Sequence, residues 1–182
     1  MRKLIVSQFI TLDGIMESPE TWAANYINDQ EITEDILKDF SASDTFLFGR
    51  TTFEFMGERW PKRTGPMADN FNNYTKYVVS ESLQTTKWNN SIIIKDDIAE
   101  EVKRIKEKPG KNIILLGSYK LAQFLNEKNL VDEFKLLIYP LTLGRGKRLF
   151  EEGSTRQNLK LIEARTFTCG AIAAVYQPGI RA

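Results

Sequence analysis

Three short stretches carry residue types suited to holding an elongated anionic ligand. Residues 45–54 read TFLFGRTTFE, an apolar strand that breaks at Gly49-Arg50 and restarts as a helix at Thr51-Thr52. A helix start presents unpaired N–H donors and about half a positive charge, glycine admits close backbone approach, and arginine adds a fixed fork of donors for phosphate oxygens. The same composition also serves plain helix capping. Residues 112–118 repeat the arrangement: an apolar run ends at Gly117-Ser118 and enters a helix at Tyr119. The third stretch, Ser80-Glu81-Ser82, follows Tyr77-Val78-Val79. Its hydroxyls suit an adenosine ribose or its 2′-phosphate, or simply a polar turn that ends a strand. None of the three has the Gly-x-Gly-x-x-Gly spacing of the Rossmann fingerprint, which argues against a classical dehydrogenase.

The chain has 182 residues and no histidine. Ser-His-Asp and Cys-His hydrolysis and histidine-ligated zinc are thereby excluded. Hydride transfer is the reaction class least harmed, because a cofactor supplies the chemistry and the protein supplies orientation. Cys169 is the single cysteine. It rules out an intrachain disulfide or a thiolate metal cluster, and no metal is expected. With 25 basic against 24 acidic residues, nothing draws the chain to nucleic acid or an anionic membrane. The apolar run at residues 4–6 is too short for a signal peptide or a membrane span, so a cytoplasmic location is expected.

The elements that must position these turns are legible in outline, and the length fits one domain over residues 1–182. Residues 3–10 read as a strand, followed by a long irregular stretch at 11–30, of the kind that is functional or disordered. Residues 31–42 carry a helical apolar stripe, and residues 57–66, with two prolines and two glycines, read as a loop. Short β-branched runs at 77–79, 91–95 and 112–117 mark buried strands, and helices are expected at 97–108 and 118–128. Strands alternating with helices argue for parallel order in the middle of a sheet. The last strands, 133–139, 159–167 and 171–177, have no comparable helix between them and predict a C-terminal antiparallel hairpin. In such an α/β sheet the carboxyl ends of the parallel strands form the ligand edge, so the three turns fall on one side.

The ordered motifs FITLDG (9–14), FLFGRTTFE (46–54), YVVS (77–80), IILLGS (113–118) and LVDEFKLLIYPLTLGRGKRLF (130–150) resemble the dihydrofolate reductase-like superfamily. They are most similar to the branch holding the C-terminal reductase domain of the bifunctional riboflavin-biosynthesis deaminase-reductase. The resemblance implies a three-layer α/β/α fold with a mixed, mostly parallel eight-stranded sheet, NADPH as hydride donor, and a homodimer. It places Gly49, Arg50, Thr51 and Thr52 on the cofactor phosphates, Ser80 and Glu81 near the adenosine ribose, and Gly117, Ser118 and Tyr119 against the pyrophosphate and nicotinamide. Folate reductases have Gly-Gly where this chain has Gly117-Ser118.

On the substrate side, Asp13-Gly14 resembles the Leu-Asp-Gly that borders nicotinamide and substrate, with an ordinary Asp-Gly turn as the alternative. Trp22 lies in the stretch resembling the mobile loop of folate reductases, where it stacks on a planar ring or packs the loop down. Glu34, beside Asp35, is the nearest match to the folate reductase carboxylate; the helical spacing from Ile32 and Ile36 equally describes solvated charges. Arg145 and Lys147, in the glycine-flexed turn 144–148, suit a phosphorylated sugar or a hairpin tip. The functions implied are an NADPH-dependent reductase of a pyrimidine or pteridine, the ribosylamino-pyrimidine reductase of riboflavin synthesis, a dihydrofolate reductase, or a non-catalytic NADP(H)-binding module or sensor. The zinc motif of a deaminase is missing from the sequence.

Overall fold

The structure is a computed structural model that describes residues 1–27, 29–150 and 156–181. Its strands are β1 (Leu4–Thr11), β2 (Ser43–Gly49), β3 (Thr75–Val79), β4 (Ser91–Ile94), β5 (Asn112–Leu115), β6 (Glu133–Tyr139), β7 (Gln157–Thr166) and β8 (Ile172–Arg181). They form one eight-stranded sheet in the order β4-β3-β2-β5-β1-β6-β8-β7. Every pair from β4 to β6 is parallel, and β8 runs antiparallel to both β6 and β7. The mostly parallel sheet with a C-terminal hairpin is therefore as the sequence led us to expect.

The helices are α1 (Pro19–Trp22), α2 (Ala24–Ile27), α3 (Gln30–Ser41), α4 (Arg50–Gly57), α5 (Pro66–Asn73), α6 (Ile98–Glu107) and α7 (Tyr119–Glu127). Alternation along the strands separates two cores. Leu4, Val6, Leu47, Ile113 and Leu115 meet Val102 and Ile105 of α6 and Leu121 and Leu125 of α7. On the opposite face, Phe46, Phe48 and Val78 pack with Phe40, Phe53 and Phe71 from α3, α4 and α5. Strands buried on both faces require such continuous apolar runs.

Two expectations change. Residues 11–30 are not wholly irregular, since they hold the four-residue helices α1 and α2. Residues 57–66 include a 3-10 turn at Trp60–Lys62, and α5 follows it directly. Pro66 stands in the first turn of α5 behind Gly65, a Gly-Pro pair that reads locally as a break and here starts a helix. The fully buried Lys76 caps the far end of α5, donating from Nζ to the carbonyls of Phe71 at 2.9 Å and Tyr74 at 2.7 Å. Burial pushes this amine down to about 8. Among the described residues no helix is long and apolar enough to cross a membrane.

The amino edge of the sheet is stitched by charge. Asp132 Oδ2 accepts from the Leu4 amide at 2.6 Å and pairs with Lys106 Nζ at 2.5 Å, which also donates to Leu130 O at 2.8 Å. Arg2 pairs with Asp44 and donates to Thr45 Oγ1 at 2.6 Å. Lys106 is only 4% exposed, so removing its partner leaves a buried charge half-satisfied. Asp132→Asn is expected to lower unfolding stability by roughly 3 kcal/mol in urea titration; a loss within experimental error would show that the pair does not secure this edge.

Candidate functional site

The carboxyl edge of β2 and β5 is built by two backbones in close contact. The Gly49 amide donates to Gly117 O at 3.1 Å, and the Leu116 amide donates to Leu47 O at 3.1 Å. A Cβ on Gly49 would lie 2.9 Å from Ser118 Oγ, and one on Gly117 would lie 2.6 Å from Thr52 Oγ1. Gly117 also adopts φ +56, a left-handed conformation that disfavours side chains. Its peptide bond to Ser118 is cis. The serine that replaces the second glycine of folate reductases fits because Gly49 has no side chain to oppose it.

Gly49 caps α4 in an extended conformation and, having no side chain, supplies no capping acceptor; among the described residues no side chain accepts from the first amides of that helix. Those donors, with Thr51 and Thr52 beside them, point where an anion is stabilised. Arg50 is exposed at the same end and reaches Glu54 of its own helix at 3.4 Å, leaving the guanidinium half in solvent. By contrast, α7 is capped: Ser118 Oγ accepts from the Leu121 amide at 3.4 Å. Ser118 therefore serves its helix, and the Gly117 backbone is the element that faces the other turn.

Gly49 pairs in register with Val79 of β3, which brings Ser80 to the same edge. The Ser80 amide donates to Ile94 O at 3.0 Å, and its buried hydroxyl accepts from the Leu83 amide at 3.0 Å. Its first task is thus to hold the turn, with the exposed Glu81 as the outward group.

On the other side of β5, residues 11–17 and 141–149 clasp each other. The Leu12 amide donates to Leu141 O and the Met16 amide to Lys147 O, both at 2.9 Å. Asp13 binds both segments: its carboxylate accepts from Thr11 Oγ1, from the Gly144 amide at 2.7 Å and from the Leu143 amide at 3.3 Å. The Thr11 hydroxyl and then the Gly144 amide hold this carboxyl below its ordinary value of 3.8. A carboxylate stabilised in its ionised form is a poor proton donor, and these contacts tie Asp13 to residues 143–144. Gly14, at φ +82, closes the turn and faces open space. Lys147 Nζ pairs with Glu17 at 2.6 Å, and that bond raises its pKa, with Tyr119 among the lesser influences. Arg145 is exposed on the loop.

Glu34 is not brought to this edge. It is exposed on α3, accepts from Gln30 Nε2 at 2.8 Å and borders a cavity of about 360 Å³ shared with Asp35, Lys38 and Arg165. Arg165 belongs to β7, four strands from β5 in the sheet order. The buried acid of α3 is Asp35, 6% exposed, and it is neutralised by Lys135 at 3.0 Å and by Arg165. Neither acid is poised to protonate a ligand at the glycine turns.

Two polar residues that were not among the candidate site residues are buried in β1 and β6. Gln8 is buried and donates to Leu115 O at 3.4 Å, across the fork where β1 runs on beyond the end of β5. Tyr139 closes β6 opposite Thr11 and is fully buried. Trp22 lies edge-on to its ring at 5.6 Å and donates from Nε1 to Glu17 O at 2.7 Å.

The close approach is testable. Gly49→Ala is compatible with the local φ of −80, so its cost comes from contact with Ser118, and is expected at about 1–3 kcal/mol. Ser118→Gly in the same chain should recover part of it, giving a coupling of about 1 kcal/mol in a double-mutant cycle by urea unfolding; additive effects would contradict the packing. Asp13 predicts a pH dependence. Its folded pKa lies below the unfolded value, so its stabilisation is present above that value and lost as pH falls through the folded one. Amide protection of Gly144 should therefore be retained at pH 7 and fall at pH 3, and Asp13→Asn should lower it at pH 7. Equal protection in all three cases would contradict the clasp.

The RibD C-terminal domain family matches residues 2–173. The uncharacterized protein YyaP of Bacillus subtilis is 36% identical over 181 residues, covering 96% of this chain and 94% of YyaP. A protein from Shewanella sp. PV-4 assigned to riboflavin biosynthesis superposes with a TM-score of 0.80 at 16% identity, covering 98% of this chain and 99% of that one. Dihydrofolate reductase from Enterococcus faecalis, complexed with NADP(H), gives 0.66 at 16% identity, covering 98% of this chain and 97% of that one. A Thermotoga maritima diaminohydroxyphosphoribosylaminopyrimidine deaminase/5-amino-6-(5-phosphoribosylamino)uracil reductase gives 0.69 at 12% identity, where the match covers 98% of this chain and 57% of that one. These likenesses place the fold among the dihydrofolate reductase-like proteins, and the chain belongs to the RibD C-terminal domain family.

Proposed function

We propose that this chain is an NADPH-dependent reductase that delivers hydride to a small nitrogen heterocycle of the pyrimidine or pteridine type. In its narrower form the substrate is 5-amino-6-(5-phosphoribosylamino)uracil, which the Thermotoga enzyme's name specifies. The observation that carries the reading is the uncapped start of α4 set against the Gly117 turn. The cradle fits a pyrophosphate: glycine on both sides allows backbone approach, the first amides of α4 supply donors, and Arg50 supplies charge. Ser80 and Glu81, one strand further out, stand where an adenosine ribose would lie.

The first amides of α4, Arg50 and the Gly117 backbone would hold the coenzyme, which would supply hydride for the carbon of a C=N or C=O bond whose heteroatom would take up a proton. The clasp of Asp13 with residues 143–144 orients the loop that bears Arg145 and Lys147, two cations suited to a substrate phosphate. With Asp13 ionised and Asp35 paired, the reading assigns the proton to solvent. That same observation supports a second reading, a non-catalytic NADP(H)-binding module or sensor. It counts against a dihydrofolate reductase, in which a carboxylate of the helix before β2 must face the pterin. A homodimer belongs to the proposal through the family resemblance and is checked by sedimentation equilibrium.

At NADPH concentrations about 100-fold above Kd the protein should gain roughly 2.7 kcal/mol, a rise in Tm of roughly 5–10 °C. Arg50→Ala should weaken binding about 10-fold or more. No thermal shift at millimolar NADPH would overturn the cofactor assignment. Steady NADPH oxidation with the ribosylamino-pyrimidine separates the reductase from the sensor.

A further inference from the structure

Tyr139 stands out among the buried polar groups. It is the largest fully buried side chain among the described residues, and its hydroxyl has no hydrogen-bond partner there. Two other buried side chains have an atom without a hydrogen bond, yet each is otherwise engaged: Asp35 Oδ2 lies in an ion pair with Lys135 at 3.0 Å, and Asn126 donates from Nδ2 to Gln157 at 2.8 Å. An orphaned hydroxyl costs about 1–3 kcal/mol, and phenylalanine would fill the same space without that penalty.

Tyr139 is packed within a cluster of aromatic rings. Phe9 and Trp22 stand edge-on to Tyr139 at 5.6 Å, and Tyr26 is tilted at 5.0 Å. Tyr139 ends β6 at the carboxyl edge, two strands from β5. Because Leu115 pairs with Val6 and Tyr139 with Thr11, Tyr139 lies two strands across from Leu115 and five residues further along, roughly 19 Å away at the spacings of a β-sheet. The cover over this cluster is slight. Trp22 and Tyr26 belong to two four-residue helices, α1 buries none of its residues, and its N-cap Ser18 is left-handed without a side-chain cap. Segments with few buried contacts open at low free energy.

We propose that the Tyr139 hydroxyl is a substrate-binding group, hydrogen-bonding a carbonyl or amino group on the rim of a pyrimidine that enters between Phe9, Trp22 and Tyr26. This rests on the reductase reading and names the residue that recognises its substrate ring. Stacking on aromatic faces with one buried polar contact is how small heterocycles are commonly held. Burial also pushes the phenol pKa upward, so it stays a neutral donor across the physiological range.

The test is Tyr139→Phe, with 5-amino-6-(5-phosphoribosylamino)uracil as the probe. The unliganded variant should be as stable as wild type or more so, with an unchanged NADPH-induced Tm shift, while its KM or Kd for the pyrimidine rises about 10–100-fold. Wild-type affinity in the variant overturns the inference and leaves the reductase reading standing. A wild-type protein that binds NADPH but not the pyrimidine overturns it as well. Absence of the NADPH shift in wild type overturns the reductase reading instead, and pyrimidine binding, followed by Trp22 fluorescence with Trp22→Phe as control, still judges Tyr139. Should the variant misfold, the ζ-carbon resonance of Tyr139 in wild type decides: it moves on addition of the pyrimidine if the inference holds and stays fixed if it does not.

Discussion

The backbone contact between Gly49 and Gly117 is the constraint on which the candidate site depends. Two strands that pair side by side in the core, Leu47 opposite Leu115, must each turn into a helix at the same edge without a side chain between them. Glycine at both positions permits it, and each absence serves the other turn: Gly49 leaves room for Ser118, and Gly117 leaves room for Thr52. Both helices then begin at one place, one closed by its own serine and the other open to an anion. A side chain at either glycine would separate the turns before it blocked a ligand.

The two edges of the sheet are specialised in opposite ways. Arg2–Asp44 and Lys106–Asp132 are ion pairs that join strands, helix and loop at the amino edge. At the carboxyl edge the polar groups are backbone amides, hydroxyls and one clasped loop. Asp13 links the end of β1 to residues 143–144, and Glu17 links the same segment to Lys147. Rigid ties at one end leave the other free for loops that meet a ligand, the division expected when function is carried on loops over a fixed scaffold.

Much of this was legible in the sequence because local chemistry and tertiary need coincide there. The Gly49-Arg50 and Gly117-Ser118 junctions are breaks in apolar runs, visible as punctuation, and parallel order followed from alternating strands and helices. The strand at 133–139 shows the same bounds in sequence and structure. Other features were hidden for physical reasons. Pro66 begins a helix that a Gly-Pro pair disguises as a loop, and α1 and α2 are too short to show a periodic stripe. Asp13 and Glu34 have the right residue type for proton transfer, but residue type does not show the contacts the fold gives them: Asp13 reaches Gly144, about 130 residues away, and Glu34 meets Gln30 one helical turn away. Tyr139 reads as one more apolar residue of β6, and only its three-dimensional surroundings reveal an unanswered hydroxyl.

The most direct test of the account is a crystal structure of the protein grown with saturating NADPH. Density for the pyrophosphate against the first turn of α4, with the nicotinamide extending past Gly117 toward Phe9 and Tyr139, is the predicted result. A coenzyme bound elsewhere on the surface, or an empty edge at saturating concentration, would contradict it.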